Sequence, residues 1–253
     1  MNKNKMKEKL LSGQPAFGVS VMTPSPQIVE MLGKLGFDWV LIDSEHGAIS
    51  LESMELMIMA AELSGITPIV RPESNDPAAI LQALDRGAMG VQVPHVNTAA
   101  DAQRVVESVK YHPLGNRGLG AGTRPTHYGF GLPLTDYVQE ANRETLVCVQ
   151  LEEMQALRNI DEILQVQGVD VFFVGPSDLS QSMGYPGQLD APQVQSAIAN
   201  AFSAIVAAGK IPGSAGSNQA IVNYLSQGCL YVYTHVPRLL ASGYAEFMRV
   251  VKK

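Results

Sequence analysis

The sequence has 253 residues, 46% of them hydrophobic and 17% charged, with a formal net charge of −6 at pH 7. A chain of that length and apolar content buries a large core, and α/β barrels of about 250 residues commonly fold as one domain, so residues 1–253 are read as a single domain. The acidic balance without a basic stripe excludes a nucleic-acid surface. No apolar run approaches the roughly 20 residues of a membrane span, and residues 1–14 lack the hydrophobic centre of a signal peptide, which points to a cytoplasmic protein.

Lys3, Lys5, Lys7 and Lys9 open the chain as a basic run, expected to be a solvated, partly frayed lead-in helix. From Phe17 onward, short apolar runs alternate with amphipathic segments. The runs are Phe17–Val21, Trp39–Ile42, Pro68–Val70, Gly90–Val93, Leu146–Leu151, Val171–Val174, Ile211–Ser214 and Leu230–Tyr233. Helices are expected at Pro26–Leu35, Leu51–Leu63, Pro77–Arg86, Ala99–Lys110, Glu153–Gln165, Pro192–Ala208, Asn218–Ser226 and Pro237–Val251. Eight strand and helix pairs match a (β/α)8 barrel more closely than an open doubly wound sheet, and no Gly-rich dinucleotide fingerprint follows the first strand. The one long irregular piece, Tyr111–Leu132, carries aromatic residues and two arginines, as an ordered lid or interface would. Cys148 and Cys229 sit in apolar runs and are expected to be buried, reduced thiols.

In such a barrel the chemistry lies where strands end and loops to the next helix begin. Those positions are polar here: Asp43-Ser-Glu-His46, Arg71-Pro, Gln150-Leu-Glu152-Glu153 and Gly175-Pro-Ser-Asp178. Gln150 and Glu152 are two apart on a strand and share a side. Glu152 and Asp178, from neighbouring strands, could chelate one hard divalent cation; the alternative is that both merely cap helices, with Asp178 an N-cap. His46 reads as a general base oriented by the Asp43 carboxylate, against a packed or surface histidine. Asp85 is a second carboxylate partner for it or a salt bridge at a helix end. Arg71 would stabilise an enolate or carboxylate oxygen, or be a structural arginine paired with Glu73 or Asp76. His95 and His112 are assigned to structure. No lysine falls at a strand end, which argues against Schiff-base chemistry.

Five motifs taken together, Asp43-Ser-Glu-His46-Gly, Leu84-Asp85-Arg-Gly-Ala-Met-Gly-Val, Gly115-Asn-Arg-Gly-Leu-Gly120, Gln150-Leu-Glu152 and Gly168-Val-Asp-Val-Phe-Phe-Val-Gly-Pro-Ser-Asp-Leu-Ser180, resemble the HpcH/HpaI aldolases. These are metal-dependent class II pyruvate aldolases. The resemblance implies a (β/α)8 barrel of the phosphoenolpyruvate/pyruvate type, often a hexamer built as a trimer of dimers, whose last helix can pack on or swap with a neighbouring subunit. It implies Glu152 and Asp178 as ligands of Mg, Mn or Co. Gln150, Ser177 and Asp178, with Gly175 and Pro176 in the same turn, would contact the 2-oxo acid. His46 would be the base, Asp85 the residue that raises its basicity, and Arg71 the transition-state stabiliser. The chain departs from the family late: Gly213-Ser214-Ala215 follows strand seven, and strand eight ends in Tyr233-Thr234-His235, where a Gly and an Asp are more usual. The expected reaction is reversible cleavage of a 4-hydroxy-2-oxo acid to pyruvate and an aldehyde. The alternatives are a 2-oxo acid decarboxylase or citrate-lyase-like enzyme on the same enolate chemistry, or a non-catalytic 2-oxo acid binding protein.

Overall fold

The computed structural model describes residues 3–252. Helix α1 (Lys5–Leu11) precedes eight strands: β1 (Ala16–Val21), β2 (Trp39–Asp43), β3 (Thr67–Arg71), β4 (Gly90–Val93), β5 (Leu146–Leu151), β6 (Val171–Val174), β7 (Ile211–Ala215) and β8 (Tyr231–His235). Between them run α2 (Pro26–Lys34), α3 (Leu51–Ser64), α4 (Pro77–Asp85), α5 (Ala99–Val109), α6 (Leu134–Glu144), α7 (Met154–Arg158), α8 (Ile160–Leu164), α9 (Pro176–Ser182), α10 (Pro192–Ala207) and α11 (Asn218–Ser226). Helix α12 (Val236–Val251) follows β8. The strands close in sequence order, β1 back to β8, with every pairing parallel. This is the (β/α)8 barrel expected from the alternation. No helix among the described residues is long and apolar enough to cross a membrane.

Apart from Phe17 on β1 and the partly buried ends of β7 and β8, the strands are buried on both faces, which is why they read as continuous apolar runs. Side chains such as Val40, Ile42, Val91, Val147, Leu151 and Phe172 pack outward beneath the helices. Their neighbours Trp39, Leu41, Ile69, Cys148, Phe173, Tyr231 and Tyr233 fill the barrel interior. Helix starts are fixed locally: the Ser25, Ser50 and Asp76 side chains accept from first-turn amides, and Thr98 with Asp101 completes a capping box.

Three expectations need correction. The basic run is not a solvated lead-in: α1 buries Met6 and Leu10 in the interior cluster, Lys7 pairs with Asp170 at 3.0 Å, and Lys9 with Asp38 at 2.9 Å. Amphipathic spacing hid this, because only two residues of the helix face inward. The segment expected as one helix over Glu153–Gln165 breaks at Asn159, whose side-chain amide donates to the Asn97 carbonyl instead of extending a helical face. Helix α6 was not anticipated, since only Tyr137 and Ala141 of its residues are buried, too thin an apolar stripe to read. The Tyr111–Leu132 segment is ordered. It contains a short turn at Arg124–Gly129, in which His127 and Tyr128 hold φ of 53° and 56°, and the Arg117 guanidinium lies 4.7 Å above the Tyr111 ring.

Candidate active site

The interior-facing parity of each strand decides which polar side chains reach the C-terminal mouth. Asp43 and Arg71 are register partners on β2 and β3, both ending their strands. Asp43 is fully buried and accepts from Arg71 Nε at 2.9 Å and from its Nη2. The same carboxylate accepts the backbone N–H groups of Glu45 and His46, each at 3.2 Å. Arg71 Nε also lies 3.2 Å from Glu45. Burial alone would lower the basicity of this guanidinium, but the Asp43 hydrogen bond and the charges around it raise it further, so it is permanently cationic.

On β5, Cys148, Gln150 and then Glu152 face inward. Gln150 Nε2 donates to Glu152 Oε2 at 2.6 Å. Its Oε1 accepts from Gln92, whose own Oε1 takes the Tyr231 hydroxyl at 3.0 Å. This chain of interior amides fixes Gln150 from below. Glu152 is 2% exposed, and its other oxygen accepts the His95 backbone N–H at 2.8 Å. Burial is the main reason its carboxyl is pushed above the usual range; Asp178 and Glu45 add repulsion, and the His95 contacts oppose them only partly. At Gly175 a Cβ would meet the Glu152 side chain at 2.8 Å, so the glycine is what lets the β6 end approach it.

His46, Arg71, Gln150, Glu152, Gly175, Pro176, Ser177 and Asp178 all line one cavity of about 270 Å³ at the mouth. A buried carboxylate strained by the charges of Asp178 and Glu45 is the environment a divalent cation relieves, and oxygen donors suit Mg, Mn or Co. A second acidic group, Asp43, Glu45 and His46, offers ligand atoms all within 4.8 Å of one another and could also hold a metal ion. Arg71, however, already places its positive charge on both carboxylates of that group.

Two expected partnerships are not made. The carboxylate beside the His46 ring is Glu45, 3.5 Å from Nδ1, while Asp43 takes the His46 backbone amide and Arg71. Asp85 ends α4, a helix that runs back against the strands, so it lies at the opposite end of the barrel from the mouth and pairs with Arg117 at 3.0 Å. Nor does Arg71 pair with Glu73 or Asp76. Two residues were missed. Glu45 joins Arg71, His46 and His95, the last at 3.3 Å. His95, assigned to structure from the sequence, holds φ of 56° just beyond β4 and places its Nδ1 3.0 Å from Glu153 and 3.6 Å from Glu152. Burial lowers the basicity of its ring, but the Glu153 hydrogen bond and the surrounding carboxylates raise it on balance. Its place directly after a strand was the available signal.

Residues 17–223 match the family model for HpcH/HpaI aldolase/citrate lyase. A 4-hydroxy-2-oxo-heptane-1,7-dioate aldolase of Salmonella dublin is 38% identical over 245 residues, 96% of this chain and 92% of that protein. An HpcH/HpaI aldolase/citrate lyase family protein from Burkholderia cenocepacia J2315 superposes with a TM-score of 0.92 at 27% identity, over 99% of this chain and 100% of the other. A citrate synthase, SbnG, superposes at 0.85 with 31% identity, over 98% of each chain.

Proposed function

The chain belongs to the HpcH/HpaI aldolase/citrate lyase family, and on that premise we propose that it is a metal-dependent aldolase cleaving a 4-hydroxy-2-oxo acid reversibly to pyruvate and an aldehyde. The observation that carries this reading is the convergence of Glu152, Asp178, Gln150, Arg71 and His46 on one cavity at the barrel mouth. Glu152 and Asp178 would hold the cation, which would polarise the 2-oxo group and accommodate the negative charge released by bond breaking. Gln150 orients Glu152 and reaches the 2-oxo acid, while Gly175, Pro176, Ser177 and the Asp178 backbone form the wall for its carboxylate. Arg71, clamped by Asp43 and Glu45, is pre-aimed at the developing enolate oxygen and needs no reorganisation. His46 takes the proton from the 4-hydroxyl. The C3–C4 bond then breaks, C4 leaves as the aldehyde carbonyl, and its electron pair becomes the enolate of pyruvate, which is protonated at C3. Glu45, rather than Asp85 of the same chain, is the carboxylate that supports the His46 ring.

The chain is proposed to act as a single domain in the cytoplasm, where its buried thiols Cys148 and Cys229 stay reduced, and as a homo-oligomer, a hexamer arranged as a trimer of dimers. The exposed apolar side chains of α12 support packing of that helix on a neighbouring subunit.

The test is metal-stripped protein assayed for pyruvate release from 4-hydroxy-2-oxo acids. Mg, Mn or Co should restore turnover, and Glu152→Ala should abolish it; metal-dependent release retained by Glu152→Ala refutes the assignment. The similarity to a citrate synthase favours one second reading, other enolate chemistry in the same cavity. Assaying oxaloacetate against 4-hydroxy-2-oxo acids separates the two, because a pure decarboxylase releases carbon dioxide from the first and no aldehyde from the second.

A further inference from the structure

Below the cavity the barrel interior is filled by side chains such as Trp39, Leu41, Ile69, Cys148 and Phe173, yet one line of hydrogen bonds crosses this apolar packing. It starts at Tyr231 on β8, whose hydroxyl donates to Gln92 Oε1 at 3.0 Å. Gln92 belongs to β4, which faces β8 across the closed sheet. Its Nε2 donates to Gln150 Oε1 and, at 3.4 Å, to the Tyr233 hydroxyl. Gln150 Nε2 ends the line on Glu152 Oε2 at 2.6 Å. Tyr231, Gln92 and Gln150 are all fully buried. Apolar groups of the same shape can replace a buried hydrogen-bonded pair at little cost in stability, so packing alone does not call for such a line.

Its direction points to the cavity. A carboxylate that holds a cation accepts hydrogen bonds and donates none, so the Gln150 amide must turn an N–H up to Glu152 and its carbonyl down. Gln92 must then donate upward and accept from below, and the Tyr231 phenol closes the line as the donor. Burial raises the pKa of that phenol well above its ordinary value, so the proton stays in place. The ring is held too: it stacks on Trp39 with centroids 4.1 Å apart and meets Phe173 edge-on at 6.3 Å. Without the hydroxyl, Gln92 has no satisfactory orientation. As it stands its carbonyl would lack a donor, and flipped it would face the Gln150 carbonyl.

We propose that Tyr231 is a positioning residue: through Gln92 it fixes which side of the Gln150 amide faces Glu152 and the 2-oxo acid. This deepens the aldolase reading and rests on it. Tyr231 precedes Tyr233 on β8 and so lies farther from the mouth, while Tyr233, Phe173 and Gln150 line the cavity. One Gln150 N–H is taken by Glu152; the fixed orientation leaves the other for an oxygen of the 2-oxo acid and keeps the amide carbonyl from repelling it.

The experiment measures Mn binding to metal-free protein by electron paramagnetic resonance, and pyruvate binding to the Mn-loaded protein by calorimetry. It is run on the wild type, Tyr231→Phe, Gln92→Met, Gln150→Leu and the double variant Tyr231→Phe with Gln150→Leu. Tyr231→Phe should weaken pyruvate binding by about tenfold, the worth of one hydrogen bond, and should weaken Mn binding as well. In the Gln150→Leu background the same substitution should change either affinity by less than about twofold, because the amide it positions is gone. An equal loss in both backgrounds would mark Tyr231 as ordinary packing, and unchanged affinities in Tyr231→Phe would leave it no role; either result overturns the inference alone. Should Tyr231→Phe fail to fold, Gln92→Met breaks the line one step nearer the cavity and must show the same loss of pyruvate binding, an unchanged affinity overturning the inference. A wild type that binds no pyruvate in the presence of Mn overturns the aldolase reading and the inference with it.

Discussion

Asp43 shows how much of this site depends on one side chain that never reaches the cavity. It is fully buried, grips Arg71 through both oxygens, and takes two backbone amides of the turn that carries Glu45 and His46. It therefore positions a cation and a histidine at once. Asp43→Asn keeps the shape but removes the charge, and a charged hydrogen bond of this kind is worth about 1.5–3 kcal/mol. The expected result is a loss of that size in urea denaturation, together with a fall in kcat larger than the change in KM. An unaltered denaturation midpoint would show that Glu45 alone holds Arg71. The candidate residues, Asp85 at the end of α4 excepted, were legible individually because they stand at or just beyond strand ends. Their partners were not. The strand-end place of Asp43 made it the expected companion of His46, whereas the ring lies beside its neighbour Glu45; the place of His95 directly after β4 was a signal, but nothing local showed that it would stand between Glu45 and Glu152.

At the scale of single elements, β1 and β2 illustrate why the barrel closes as it does. Gly18 is the register partner of Trp39, and a Cβ on it would lie 2.2 Å from the indole. The indole in turn stacks on Tyr231 with centroids 4.1 Å apart, so it has nowhere to withdraw. Gly18→Ala should cost about 1–3 kcal/mol through overpacking, measured as a lower midpoint of chemical unfolding. Activity per folded molecule should change less than stability, because the cavity lies at the far ends of the strands. A midpoint equal to that of the wild type would mean that the interior aromatics repack freely. Strands were easier to read than helices for a related reason. A strand covered on both sides must be apolar throughout, whereas α6 anchors itself with two buried residues and α7 and α8 divide at a single asparagine.

Across the whole molecule, the end of the barrel remote from the mouth holds a buried lysine. Lys110 is 4% exposed, and its Nζ donates to the carbonyls of Asn142 at 2.9 Å and Thr145 at 2.7 Å. Burial, helped by the Lys7 charge, pushes its pKa down to about 8. Between that value and the usual lysine range the unfolded chain binds more protons than the folded one, so this group adds stability as pH rises through that window. The stability difference between wild type and Lys110→Met should therefore shift in favour of wild type from pH 8 to pH 10; a pH-independent difference would refute it. Helix α12 makes a second whole-molecule prediction. None of its residues is buried, and Leu240 and Phe247 are 68% and 62% exposed. Leu240→Asp with Phe247→Asp should shift sedimentation toward smaller species if that face is covered by another copy of the chain, whereas an unchanged oligomer would place the interface elsewhere.

The amino-acid order alone determined the eightfold alternation, and with it the barrel and the ends of the strands at which polar chemistry collects. Both follow from local rules: apolar runs suit doubly covered strands, and glycine, proline and capping residues mark where they stop. Which polar groups meet was decided only in three dimensions. Register across parallel strands joins Asp43 to Arg71 and Ser20 to His235, and the antiparallel course of α4 carries Asp85 to the remote end of the barrel. Such meetings depend on closure of the whole sheet, a constraint that no segment of the chain contains by itself.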